Sequence, residues 1–193
     1  MATGTDSVDL VDASVVRPFA RAALLAALTA ALAYVAFPNP WATAPVTLQV
    51  LGVFLVGLYL TPQWAAVSMI LYLAAGAVGA PVFAGGSAGI GVLQGPNAGF
   101  LWSFPVAAAL IGTLVHRNRT PTNPADRSLP VLAGALVAAT VVIYAAAVLW
   151  LMWLLELGPV EAALVGAFPF IPFELLKAVV AIAIVRSDVI DPT

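Results

Sequence analysis

Glu174 and Lys177 are the residues whose type and place could do chemistry in this chain. They stand three positions apart inside an apolar segment, so a helix there puts both on one face. An ionised side chain at mid-membrane costs roughly 2.5 to 3.5 kcal/mol on insertion scales. Residues that carry such a cost face a protein interior and mark a substrate or ion site. A carboxylate only accepts hydrogen bonds and an ammonium only donates them. The plainer alternative is an ion pair that neutralises itself. Gln49 and Asn97 are uncharged amides that could add donors and acceptors on the same side. Trp41 or Trp102 could stack on a ligand, although interfacial anchoring is the commoner use of such residues.

Depth supports a site. Arg186 lies twelve residues beyond Glu174, or about 18 Å along a helix. With Arg186 at the inner face of a hydrocarbon core about 30 Å thick, Glu174 sits about 12 Å below the outer face. Pro172 can open the final helix, because its missing N–H costs nothing in the first turn. Glu174 then falls in that first turn, where the helix dipole favours a carboxylate.

The elements that must position these residues are membrane spans. The 193 residues are 63% hydrophobic and 8% charged, with mean hydropathy +1.07, whereas soluble domains carry about 25% charge. No Asp, Glu, Lys, Arg or His occurs between Arg21 and His116. Turn signals divide the apolar tract, and about 20 apolar residues cross a bilayer. The expected spans are 19–37, 46–60, 63–79, 99–115, 129–155 and 160–185, the last interrupted by Pro169 and Pro172. The expected fold is therefore an all-α bundle of six transmembrane helices. Residues 1–18 are expected to form a disordered tail, 19–187 one domain, and 188–193 a short C-terminal tail. Arg17, Arg21, Arg117, Arg119, Arg127 and Arg186 all fall on one side of such a bundle. The positive-inside rule makes that side, with both termini, cytoplasmic.

Between the third and fourth spans, on the outer side, lies a glycine-rich stretch, 81–104. Gly85, Gly86, Gly89, Gly91, Gly95 and Gly99 fall within it and no charge does. Each glycine costs a helix about 1 kcal/mol relative to alanine, so an ordered loop that packs over a ligand is the natural reading. It follows no phosphate-binding pattern and holds no lysine, so an ATPase driving transport would be a separate chain.

Other chemistries are excluded. There is no cysteine, hence no disulfide, thiolate metal site or cysteine nucleophile. The lone His116, beside Arg117 and Arg119, reads as part of a solvated loop, and no metal or cofactor site is expected. A net charge of −2 offers no footprint for nucleic acid. On the first span Ala22, Ala26 and Ala30 recur every fourth residue, with Ala23, Ala27 and Ala31 beside them. Small residues so spaced let helices approach closely in lipid, either within the bundle or against a partner.

Three stretches carry a resemblance. Phe83-Ala84-Gly85-Gly86 followed by Gly95-Pro96-Asn97-Ala98-Gly99-Phe100, together with Ala44-Pro45-Val46-Thr47-Leu48-Gln49 and Pro172-Phe173-Glu174-Leu175-Leu176-Lys177, resembles the BioY family. These are the biotin-binding S components of energy-coupling factor (ECF) transporters. The resemblance spans roughly residues 19–186, in the family's order. The chain departs from it at Asn97-Ala98, where Thr-Gly is usual, at Phe100, where Tyr is common, and at Glu174, where Asp is usual. The resemblance implies a vitamin-binding subunit in the cell membrane and no catalysis. It implies contacts to biotin from Glu174, Lys177, Asn97, Gln49, Gly85, Gly86 and Trp102. It also implies docking of a transmembrane T component on Ala22, Ala26 and Ala30, with ATP-binding-cassette ATPases on further chains. The alternatives are an S component for another vitamin, such as thiamine or riboflavin, an intramembrane enzyme using Glu174 as general base, or a purely structural bundle.

Overall fold

The computed structural model describes residues 13–39, 42, 45–116 and 121–187. Seven helices dominate it: α1 (Ala13–Leu32), α2 (Gln49–Tyr59), α3 (Pro62–Ala77), α4 (Ala98–Val115), α5 (Leu129–Leu155), α6 (Pro159–Gly166) and α7 (Ile171–Arg186). Four helical stretches are long and apolar enough to cross a membrane: Ser14–Leu32, Ala98–Val115, Leu129–Leu155 and Pro159–Arg186. The last joins α6 and α7 through a single 3-10 turn, Phe168–Phe170. The second and third expected spans fold as the shorter helices α2 and α3, of 11 and 16 residues.

Residues 13–18, expected in the tail, are already helical. Residues 1–12 and 188–193 lie outside the described residues, as do Trp41, Arg117 and Arg119. The first span also ends earlier than expected. α1 stops at Leu32, and Ala36–Phe37 (β1) pairs antiparallel with Val46–Thr47 (β2), Ala36 opposite Thr47 and Phe37 opposite Val46. Pro38 explains the change, since the residue before a proline is pushed out of the helical region into extended backbone.

α2 is the centre of the bundle. Ten of its positions, Gln49 through Leu58, are buried, with α1, α4 and α7 against it. Only small residues allow such approach. A Cβ on Gly52 would stand 2.6 Å from Thr29 Oγ1 of α1, and one on Gly57 2.5 Å from Ile111 of α4.

Two features of the sequence are used in the chain's own packing. Ala22 and Ala26 are 0% and 7% exposed, turned into the chain's own core, and the Ala22 carbonyl accepts a 2.8 Å bond from Ser68 of α3. Ala30 is half-buried against the same core. Ala22 and Ala26 thus pack within the chain and Ala30 does so in part, whereas Ala23, Ala27 and Ala31 are exposed. His116 is not in a solvated loop. It caps α4 and is 2% exposed, with Thr122 and Arg127 close to it. Its Nδ1 accepts from the Thr122 backbone N–H at 3.2 Å. Arg127 Nε donates to the Val115 carbonyl at 2.6 Å, and Arg186 at the end of α7 donates to the carbonyls of Ala125 and Arg127. Burial, the leading cause, and Arg127 nearby hold the His116 pKa below its ordinary value.

Candidate functional site

At the opposite end from His116, the bundle holds a cavity of about 180 Å³. An apolar cavity of about 150 Å³ takes up benzene, so this one has room for a small heterocycle. Five aromatic side chains, Phe83, Phe100, Phe104, Tyr144 and Phe170, form part of its wall. Phe100 meets Tyr144 edge-on at 5.5 Å and Phe170 at 5.8 Å. Such pairs hold rings in fixed orientations.

α7 brings the charged pair to this cavity. Its first turn contains Pro172 and Glu174, as its sequence suggested, and one turn later Lys177 points the same way. Both side chains line the cavity and are 2% and 5% exposed. Lys177 Nζ lies 2.6 Å from Glu174 Oε1, and the Tyr144 hydroxyl donates to the same oxygen at 2.8 Å. Glu174 Oε2 is buried and has no partner. The other wall carries Asn97, just before α4, whose Oδ1 is likewise buried and unpartnered. A buried acceptor left without a donor costs about 1 to 3 kcal/mol, more when charged. Two such acceptors on residues that line one cavity, together with an ammonium, form a site that a ligand bearing N–H groups would complete.

Gln49 also lines the cavity, but its polar atoms are engaged. Its Oε1 accepts from Thr47 at 2.9 Å and its Nε2 donates to the Tyr72 hydroxyl. Tyr72 in turn donates to the Val82 carbonyl at 2.9 Å. Gln49 therefore ties the β hairpin and α3 to the start of the glycine loop.

The glycine loop is ordered and covers one side of the cavity. Phe83 is its anchor, 1% exposed, with its ring over Gly76 of α3, where any Cβ would overlap it. Ala84 and Ser87 line the cavity. Gly85 and Gly86 make the turn between them without lining it, with φ +64° and +78°, the left-handed region that glycine enters without strain. Trp102 does not reach the cavity. It is half exposed, and its Nε1 donates to the Leu93 carbonyl at 2.9 Å. Trp150 holds the far end of the loop through the Gly95 carbonyl at 2.9 Å. Among the described residues no group of three or more His, Asp or Glu could hold a metal ion.

Residues that sequence reasoning missed are Tyr144, Phe100, Phe170, Phe83 and Thr47. One of them left a signal, since Tyr144 and Thr140 are the only hydroxyl-bearing residues in the 27 of α5. A phenol in mid-span needs a hydrogen-bond partner, and Glu174 is that partner.

A model of the BioY family matches residues 5–189. The chain is 37% identical over 174 residues to the biotin transporter BioY of Rhodobacter capsulatus, covering 85% of this chain and 88% of that one. It is 35% identical over 169 residues to the biotin transporter BioY2 of Lactococcus lactis subsp. cremoris, covering 86% and 88%. The fold superposes with TM-score 0.79 on the 2.1 Å crystal structure of the S-component for biotin from an ECF-type ABC transporter, at 22% identity, covering 92% of this chain and 93% of that one.

Proposed function

From the premise that the chain belongs to the BioY family, we propose that it is the membrane-embedded subunit that captures biotin from the outer side. It is a multi-pass protein of the cell membrane and, as a member of a transporter family, not an enzyme. The six apolar segments cross the membrane with both termini cytoplasmic and the glycine loop outside. The arginines of the chain gather on one side in that arrangement.

The observation that carries the reading is the pair of buried, unpartnered acceptors beside Lys177. The ureido ring of biotin has two N–H donors and one carbonyl. Glu174 Oε2 and Asn97 Oδ1 accept one N–H each, and Lys177 Nζ, which keeps donors beyond the one given to Glu174, supplies the carbonyl. The aromatic wall takes the bicyclic body. The glycine loop, with Gly85 and Gly86 at its turn, closes over the bound ring, while Gln49 holds that loop in place. Delivery across the membrane is assigned to an ECF T component with ATP-binding-cassette ATPases, which for ATP-driven transport are separate chains, since this sequence has no nucleotide-binding loop.

Uptake of labelled biotin tests the reading. Cells lacking their own biotin transporter should take up biotin when they express this chain with an ECF module, and excess unlabelled biotin should compete. Failure of uptake in cells where the chain reaches the membrane with its module contradicts the proposal.

A further inference from the structure

The two oxygens of Glu174 are in different states. Oε1 receives the Lys177 ammonium at 2.6 Å and the Tyr144 hydroxyl at 2.8 Å, while Oε2 receives nothing. A carboxylate is symmetrical and its terminal torsion is broad, so nothing intrinsic to Glu174 decides which oxygen faces the cavity. Lys177 alone cannot decide it. An ammonium is a point charge on a flexible stem and can sit on either oxygen or between them. The phenol is different. Its ring is held by Phe100 at 5.5 Å and Phe170 at 5.9 Å, and α5 carries its hydroxyl to Oε1, leaving Oε2 without a partner.

We propose that Tyr144 is a positioning residue, which locks the Glu174 carboxylate so that Oε2 alone is presented to a ligand N–H. The proposal rests on the reading of Glu174 as an acceptor for the ureido ring. It has a consequence for recognition. The carboxylate offers the ligand one acceptor, so the second N–H must be met elsewhere, and Asn97 Oδ1 is the buried acceptor left for it. The site thus reads a cyclic urea through two separate residues and discriminates against rings that carry only one N–H.

A double-mutant cycle tests the role. Biotin affinity is measured by calorimetry on the purified full chain and on Tyr144→Phe, Glu174→Gln and the double variant, with thermal unfolding recorded for each. Tyr144→Phe keeps the ring and its contacts, so the protein folds with its cavity wall intact. In the wild-type background it should lower affinity about 10-fold, the low end for losing a hydrogen bond to a charged group. In the Glu174→Gln background it should change affinity less than about 2-fold or improve it, because an amide freed from Tyr144 can turn its oxygen to the ligand. A hydroxyl that touches the ligand itself loses the same factor in both backgrounds, and that result overturns the positioning role. An unchanged affinity in Tyr144→Phe overturns it as well. If the wild-type chain holds no biotin at all, the functional reading fails first and takes this proposal with it.

Discussion

Replacing Lys177 by Met and Glu174 by Gln, singly and together, separates two uses of the buried pair. The two side chains are 2.6 Å apart and almost wholly buried, so removing one partner strands a charge away from water. Breaking a buried pair in this way costs about 3 to 5 kcal/mol, which lowers the melting temperature on the order of 10 °C for a chain of this size. Removing both charges leaves nothing stranded, and exchanges of that kind are often neutral or stabilising. Stability should therefore recover in the double variant. Affinity should not. Each single change deletes a charged hydrogen-bond partner of the ligand, worth about 1.5 to 3 kcal/mol, or roughly 10- to 150-fold in affinity. Glu174→Gln should be the worse of the two. An amide oxygen cannot serve Tyr144 and Lys177 and also face the cavity, and the NH2 that turns to the ligand meets another donor. Calorimetric titration with biotin and thermal unfolding, both in detergent on the four purified proteins, read the two quantities separately. Near-normal biotin affinity in the stable double variant would show that the pair only neutralises itself, and the site assignment would fall.

Other outcomes follow from the same structure. Gly86→Val places a β-branched residue at φ +78°, with its Cβ 3.2 Å from the Tyr34 ring, so the folded protein should bind biotin several-fold more weakly through a displaced loop. Unchanged affinity would count against the loop as a cover. Ala27→Trp alters the exposed face of α1 and should abolish uptake while the isolated subunit still binds biotin, whereas Ala26→Trp overfills the core and should lower the melting temperature. Equal uptake by wild type and Ala27→Trp would show that α1 faces only lipid. His116 is kept neutral by burial, so its folded pKa lies below the ordinary value of about 6.5. The unfolded chain then binds a proton that the folded chain refuses, and stability present above that value is lost as pH falls below it. Melting temperature measured from pH 7.5 to 5 should drop, and His116→Gln should flatten the drop.

Four of the expected membrane spans and the charged pair were legible because their signals are local. A tract without charge from Arg21 to His116, punctuated by prolines, reads as helices, and an i, i+3 pair inside an apolar run reads as a site. The N-terminus of α7 at Pro172 was equally local. What the sequence hid depends on contacts between distant segments. That Ala22 and Ala26, and not Ala23 and Ala27, face the core depends on Ser68 and Gly52 from other helices. His116 is buried because Arg127 and Arg186 pull its loop against the bundle, which the run of neighbouring arginines disguised as solvated. The hairpin of β1 and β2 has only two residues in each strand, too few for any alternation to show. Tyr144 lies thirty positions from Glu174, and no spacing rule joins them.

The central claim is that two orphaned acceptors and an ammonium in one aromatic cavity hold a cyclic urea. Titration of the purified wild-type chain with biotin, thiamine and riboflavin in turn tests it most directly. The account predicts saturable binding of one biotin per chain, with the ligand recovered unchanged and the other two vitamins unable to displace it. No saturable biotin binding, or preferential binding of a vitamin that lacks the ureido ring, would contradict it.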